Sequence, residues 1–260
     1  MAAAVAGAVA LVLLGGSWGS HAPTHTTPGS TAGVIVYGDS LVAQAAPYLA
    51  SEAGGLGLRV TVHALGGTAP CDFLPVLRSD IAAGPVGAVV WAFSGNSIGT
   101  CMLDRSGTPL TGAAAVAKYR TDTETAINLA EAHHVPFVVA SGPAPRASSL
   151  WAPLDSLYRQ LAAAHHDTAY LDAGQQIAPG GQFAETQSCL PAEYRINQPG
   201  NTCYPNGGTV VVRSPDGTHF CQTRTTVCPV YASGAWRYAT NLLSGARLEL
   251  DAVAASAHTN

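Results

Sequence analysis

The 260-residue chain is 47% hydrophobic, carries a formal net charge of −4, and has charged residues at only 11% of its positions. That supplies a sizeable core and suits one large α/β domain, a class that commonly runs to about 200–250 residues. No basic field or Lys/Arg cluster is present to track a phosphate backbone, which argues against nucleic acid as a partner.

In chain order, the first feature is an apolar run from Ala3 to Leu14, shorter than the ~20 residues a bilayer span needs. Small residues follow, and Ser20-His21-Ala22 suits a cleavage site. Residues 1–22 therefore read as a secretory signal, with an uncleaved N-terminal anchor as the alternative. Residues 23–32 are rich in Thr, Pro and Ser and read as a disordered spacer. The folded domain is expected over 33–250 and a tail over 251–260, with no further segment apolar enough to cross a membrane.

Past the spacer, β-rich apolar runs alternate with helical patterns. Strands are predicted at Val34–Tyr37, Leu58–Ala64, Ala88–Phe93, Pro136–Ala140 and Thr168–Leu171. These runs lack clean alternation, as strands buried on both faces do. Helices are predicted at Leu41–Glu52, Phe73–Ala82, Ala113–His134, Ser149–His166 and Ala232–Leu243. Such alternation implies a parallel sheet with helices on both faces, and ligands in such sheets sit at the carboxyl ends of the strands. Gly38-Asp39-Ser40, Gly66-Gly67 and Gly95-Asn96 follow the first three strands and converge on that edge. The stretch Gly174–Pro215 is too long for an ordinary connection and reads as a disulfide-pinned excursion walling the site.

The six cysteines are Cys71, Cys101, Cys189, Cys203, Cys221 and Cys228. An even count behind an export signal favours disulfides, and no Cys-x-x-Cys pair suggests zinc. Sequence leaves the pairing open; proximity and the expected fold favour Cys71–Cys101, Cys189–Cys203 and Cys221–Cys228.

Chemistry is suggested by "YGDSL". A serine hydroxyl needs a base to become a nucleophile, and the base needs a carboxylate to orient it. Asp216 and His219 in "SPDGTHFCQ" are three residues apart, so the carboxylate reaches imidazole Nδ1 and leaves Nε2 free to face Ser40. The backbone N–H of Ser40 sits at a helix N-terminus, where negative charge is favoured. Gly67 and Asn96 are further candidate donors for an oxyanion. The bland alternatives are turns at Gly67 and Asp216-Gly217 and a loop cap at Asn96. His133-His134 and His165-His166 read as solvated helix ends rather than metal ligands. Asp39 reads as a local backbone acceptor, Trp91 and Phe93 as core, and Trp151 and Tyr158 as core or cleft wall. Asp72 receives no role.

Together, "YGDSL", a glycine after the second strand, "SGN" after the third and "DGTH" near the end resemble the SGNH hydrolases, also called GDSL esterases/lipases. The resemblance spans most of the chain after the spacer. It implies a flavodoxin-like three-layer α/β/α sandwich with a five-stranded parallel sheet in the order 2-1-3-4-5. It maps the nucleophile to Ser40, the acid and base to Asp216 and His219, and the oxyanion donors to Ser40, Gly67 and Asn96, with Gly66 as the alternative glycine. Two departures stand out: Ser97 follows Asn96 where an acidic residue is usual, and a cysteine lies just beyond each of the two oxyanion blocks. A Cys71–Cys101 bridge would lock those loops together. The implied activity is cofactor-free, metal-free ester hydrolysis; the signal-like N-terminus makes the expected enzyme a secreted one, and a monomer is the default expectation. The implied substrate is a small-molecule, lipid or acylated-glycan ester; the lack of a lid-like apolar helix disfavours long triglycerides. The rivals are acyl transfer to a sugar hydroxyl and a non-catalytic wall- or glycan-binding module.

Overall fold

The computed structural model describes residues 32–223 and 225–257. The expected signal and all but the last residue of the spacer lie outside the described residues. The strands are β1 (Ala32–Gly38), β2 (Leu58–Ala64), β3 (Ala88–Ala92), β4 (Phe137–Ser141) and β5 (Thr168–Asp172). They form one parallel sheet in the order β2-β1-β3-β4-β5. The helices are α1 (Ser40–Ala53), α2 (Pro70–Ala83), α3 (Gly112–Glu131), α4 (Trp151–Ala164) and α5 (Ser233–Ala257).

Strand side chains alternate between two cores, as the pleat demands. Val34, Val36, Val90 and Val138 pack with Leu41, Leu49, Leu242 and Leu243, placing α1 and α5 on one face. Tyr37, Val89, Trp91 and Val139 pack with Leu77, Tyr119, Ile127 and Leu157, placing α2, α3 and α4 on the other. Both faces of β3 and β4 are therefore buried, which is why their sequences read as unbroken apolar runs. This is the expected three-layer α/β/α architecture and strand order.

Several element ends differ from the sequence reading, each for a local reason. Helix α2 begins three residues earlier, with Pro70 in its first turn, where a missing N–H costs nothing. Asp72 finds its role there, accepting the Ala69 N–H at 2.9 Å. Helix α3 stops at Glu131, and the chain turns through His134 in a left-handed conformation (φ 55°). Helix α5 continues to Ala257, so it takes in residues expected in the tail. Gly245 does not end it, because that glycine packs against Leu171: a Cβ there would lie 2.6 Å from Leu171 Cδ2. An Arg247–Asp251 pair at 2.9 Å spans the next exposed turn.

The three disulfides join Cys71 to Cys101, Cys189 to Cys203 and Cys221 to Cys228. The excursion from Gly174 to Pro215 contains a short antiparallel pair, β6 (Thr186–Ser188) with β7 (Thr209–Val211). It is pinned to α5 by a buried ion pair, Arg237 Nη2 to Glu193 Oε2 at 2.6 Å. Glu193 also accepts the Leu190 N–H at 2.7 Å and the Ser233 hydroxyl. Burial alone would raise the Glu193 carboxyl; the bonds from Arg237, Ser233 and Leu190 outweigh it and hold the group below its usual range.

Candidate active site

Ser40 stands on the corner between β1 and α1, and the residue two before it makes that corner possible. A Cβ at Gly38 would lie 2.2 Å from Val42 Cγ2 and 2.5 Å from Ala92 O, so only glycine lets strand, helix and β3 meet this closely. Asp39 is the N-cap of α1, its Oδ1 accepting the Leu41 N–H at 3.0 Å. Ser40 is then the first helical residue, with its backbone N–H among those that have no partner within the helix.

The second half of the site comes from the turn 216–219. Asp216 Oδ1 accepts the N–H groups of Thr218 at 2.8 Å and His219 at 3.0 Å. Its Oδ2 lies 2.7 Å from His219 Nδ1, and His219 Nε2 lies 2.9 Å from Ser40 Oγ. One carboxylate oxygen thus closes the turn while the other faces the ring. A carboxylate only accepts, so Nδ1 carries the proton and Nε2 is the free acceptor aimed at the hydroxyl. Burial pushes the Asp216 carboxyl up, but the backbone N–H groups of His219 and Thr218 and the imidazole itself overcome it. The group stays well below the usual carboxylate range.

Beneath this turn, Arg213 is buried and has no carboxylate among its hydrogen-bond partners. It donates to the carbonyls of Thr218, Pro143 (2.6 Å) and Ala144 (2.9 Å). Burial pulls it down to about 10. It ties the residue preceding His219 to the loop after β4.

Asp39 does more than cap a helix, and nothing local in the sequence indicated it. The sequence reading gave it only nearby backbone partners. Its Oδ2 also accepts the Ser94 N–H at 2.7 Å, the Ser94 hydroxyl at 2.6 Å and Asn96 Nδ2 at 3.1 Å. The fully buried carboxyl thereby ties the first strand end to the third. Burial raises its affinity for a proton, opposed by the bonds from Ser94 and Leu41 and by the nearby His219. Asp39→Ala strands four donors, each costing about 1–3 kcal/mol where it stays dry. A lowered urea midpoint with an unchanged slope is the expected result; an unchanged midpoint would contradict the assignment.

The remaining candidates fall as follows. Gly66 lies against Ser40, since a Cβ there would sit 3.7 Å from Ser40 Cβ. Gly67 adopts φ +83°, a conformation that favours glycine, with Ile98 packed over it. Asn96 donates to Asp39, and its own carbonyl accepts the Tyr119 hydroxyl at 2.9 Å. Cys71 lies at the start of α2, just past the glycine loop, and Cys101 in the turn Thr100–Met102 past Asn96, so their bridge links those two loops. Trp91 and Phe93 are core, as is Tyr158, whose hydroxyl donates to Phe93 O at 2.9 Å. Trp151 is half-buried and donates to Gly142 O at 2.8 Å.

A cavity of about 400 Å³ opens at Ser40, lined also by Gln44, Gly66, Asp216, His219, Thr223, Thr225 and Thr226. The excursion 174–215 contributes none of these residues, contrary to the sequence reading. The wall is instead the Cys221–Cys228 loop, because the excursion is drawn away to α5 by Glu193 and Arg237. Of the four histidines read as solvated helix ends, His165 departs: it is half-buried and its Nδ1 lies 3.0 Å from Glu131 Oε1, joining α4 to α3. Two groups of possible metal ligands occur among the described residues, Cys71/Asp72/Cys101 and Cys189/Glu193/Cys203. In both, the cysteines are joined as disulfides and offer no thiolate.

No protein-family model and no curated protein matches the chain. Solved structures do. A proposed acylhydrolase from Bacteroides fragilis is 15% identical, with a TM-score of 0.53 over 84% of this chain and 88% of that one. A lipase/acylhydrolase from Enterococcus faecalis is 16% identical, with a TM-score of 0.51 over 83% of this chain and 95% of that one. The layers, the strand order and these likenesses agree with what the SGNH resemblance implies: the chain has the fold of the acylhydrolases.

Proposed function

We propose that this chain is an exported serine esterase of the SGNH type, acting through an acyl-serine intermediate. The observation that carries the reading is the 2.9 Å approach of His219 Nε2 to Ser40 Oγ, from residues 179 apart in sequence. His219 draws the proton from Ser40 as the hydroxyl attacks the ester carbonyl. Asp216 holds the ring in the tautomer that permits this and offsets the charge that develops on it. The N–H groups of Ser40 and Gly67 and the Asn96 amide receive the oxyanion. Asn96 has two amide hydrogens; with one on Asp39, the other is free for this task. Each such donor contributes about 3 kcal/mol to the transition state. His219 then hands its proton to the leaving alcohol, and water releases the acid. Three disulfides support an oxidising compartment, which agrees with the signal-like N-terminal sequence.

Aryl esters of increasing acyl length, run beside acetylated glycans, test the reading. Release of free acid at a rate far above buffer is expected, and no turnover of any ester would overturn it. With a sugar acceptor present, ester product forming in preference to acid would instead favour the transferase.

The low Asp216 affinity for protons fixes the pH behaviour. A group held below its usual range stays ionised as pH falls, so Asp216 takes up no proton across the acid limb of activity. A plot of log kcat/KM against pH should therefore rise with a slope near one. A slope approaching two would show the carboxylate titrating in the same window.

A further inference from the structure

Gln44 takes no part in the chemistry just described, yet it is buried, only 3% exposed, beside the site. It lies one helical turn after Ser40 on α1, on the same face of the helix. Its side chain is bonded at both ends to backbone from the far end of the chain. Oε1 accepts the Phe220 N–H at 2.8 Å and the Cys221 N–H at 3.2 Å. Nε2 donates to the Thr225 carbonyl at 2.9 Å.

Those partners matter by position. Phe220 follows His219 directly. Cys221 opens the loop that its bridge to Cys228 closes, and Thr225 lies within that loop on the wall of the Ser40 cavity. The His219 backbone has other anchors: its N–H donates to Asp216 Oδ1 at 3.0 Å, and its carbonyl accepts the Ser214 N–H at 2.7 Å. Those belong to the same segment as the histidine and fix the turn within itself. They do not register it against the nucleophile. Gln44 does, because it rides on the helix that carries Ser40. Its amide has an acceptor end and a donor end, and each is used for a different purpose. The acceptor end places the base; the donor end places the wall.

We propose that Gln44 is a positioning residue that sets His219 against Ser40 through the N–H groups of Phe220 and Cys221, and that sets the Cys221–Cys228 wall through the Thr225 carbonyl. This rests on the esterase reading above. It extends that reading to a side chain that no catalytic motif contains. A reacting pair displaced by about 1 Å loses on the order of 10²-fold in rate, so the acceptor end governs kcat. A displaced wall alters substrate binding before and during reaction alike, so the donor end governs KM.

The two ends are separable by substitution. Gln44→Glu, assayed at a pH where its carboxyl is ionised, keeps both acceptor bonds and removes the donor to Thr225, since a carboxylate only accepts. Gln44→Met fills the space and removes all three bonds. Steady-state kinetics on one aryl ester should show kcat for Gln44→Glu within about threefold of the parent with KM raised about five- to tenfold. For Gln44→Met, kcat itself should fall about 10²-fold. The downfield proton signal of His219 Nδ1–H should persist in the Glu variant and be lost or shifted in the Met variant. General loosening of the fold would not split kcat from KM in this way, nor be rescued by glutamate. If Gln44→Met does not fold, Gln44→Asn, one methylene too short to reach, takes its place. Equal losses of kcat in the Glu and Met variants, or parental kcat in the Met variant, would overturn the proposal. Fluorophosphonate labelling of the parent keeps the two claims apart. No Ser40 adduct on the parent defeats the esterase reading itself; an adduct forming equally fast on parent and Gln44→Met defeats the positioning role alone.

Discussion

Ser40→Ala and His219→Ala should each lower ester turnover by about 10⁴–10⁶-fold, leaving a residual rate of about 10³-fold over water from the oxyanion donors and binding. The two losses should be alike, and the double variant little worse than either single one. The reason is mechanical: a hydroxyl without its base is a poor nucleophile, and a base without the hydroxyl has nothing to activate. The geometry makes the pair interdependent, since His219 Nε2 sits 2.9 Å from Ser40 Oγ and is otherwise unoccupied by protein partners among the hydrogen bonds described. Neither change should unfold the protein, because Ser40 and His219 are both partly exposed and neither belongs to the two cores. Thermal midpoints close to the parent value, together with lost turnover, are the result to look for. Near-parental rates in either single variant would refute the roles assigned.

Glu193→Ala should lower stability by about 3–5 kcal/mol, because it leaves the Arg237 charge buried without its partner. In a chain of this size that corresponds to a thermal midpoint lowered by about 10 °C. Arg237 would keep its bonds to the carbonyls of Gln176 at 3.0 Å and Ser188 at 2.7 Å, which share but do not neutralise its charge. The excursion 174–215 would be the first segment to exchange its amide hydrogens. Ester hydrolysis by the surviving folded protein should stay close to the parent, since no residue of that excursion lines the Ser40 cavity. The pH dependence follows from the lowered affinity of Glu193 for protons. Its contribution to stability is fully present above the unfolded-state value of about 4.3 and fades as pH falls through the lower folded value. The parent should therefore lose stability below about pH 4 more steeply than Glu193→Ala does. A midpoint unchanged by the substitution would show that the pair is not holding the excursion.

Much of this was written in short stretches of sequence. Apolar β-branched runs marked all five core strands to within two residues; β3 and β4, buried on both faces, are apolar up to their ends, while the edge strand β2 interleaves Arg59, Thr61 and His63. Ser40, Asp216 and His219 were legible because each sits in a compact motif whose spacing has a mechanical meaning. Three features were not legible, and they share a cause. Asp39 reaches Ser94 and Asn96, Gln44 reaches Phe220 and Thr225, and Glu193 reaches Arg237. Each is a buried polar side chain paired with a group 40 or more residues away, and such pairs leave no periodic trace. The misplaced cavity wall follows from the last of these. Without knowing that Glu193 binds α5, the excursion looked free to cover the site. Helix α5 runs past the predicted end at Leu243 to Ala257, through Gly245, which packs against Leu171.

The most direct measurement is the mass of the folded protein after reaction with a fluorophosphonate, followed by peptide mapping. One adduct per chain, located on Ser40 and formed far more slowly when His219 is replaced by alanine, is the predicted result. An unmodified Ser40 in folded protein, or an adduct that forms at the same rate without His219, would contradict the account.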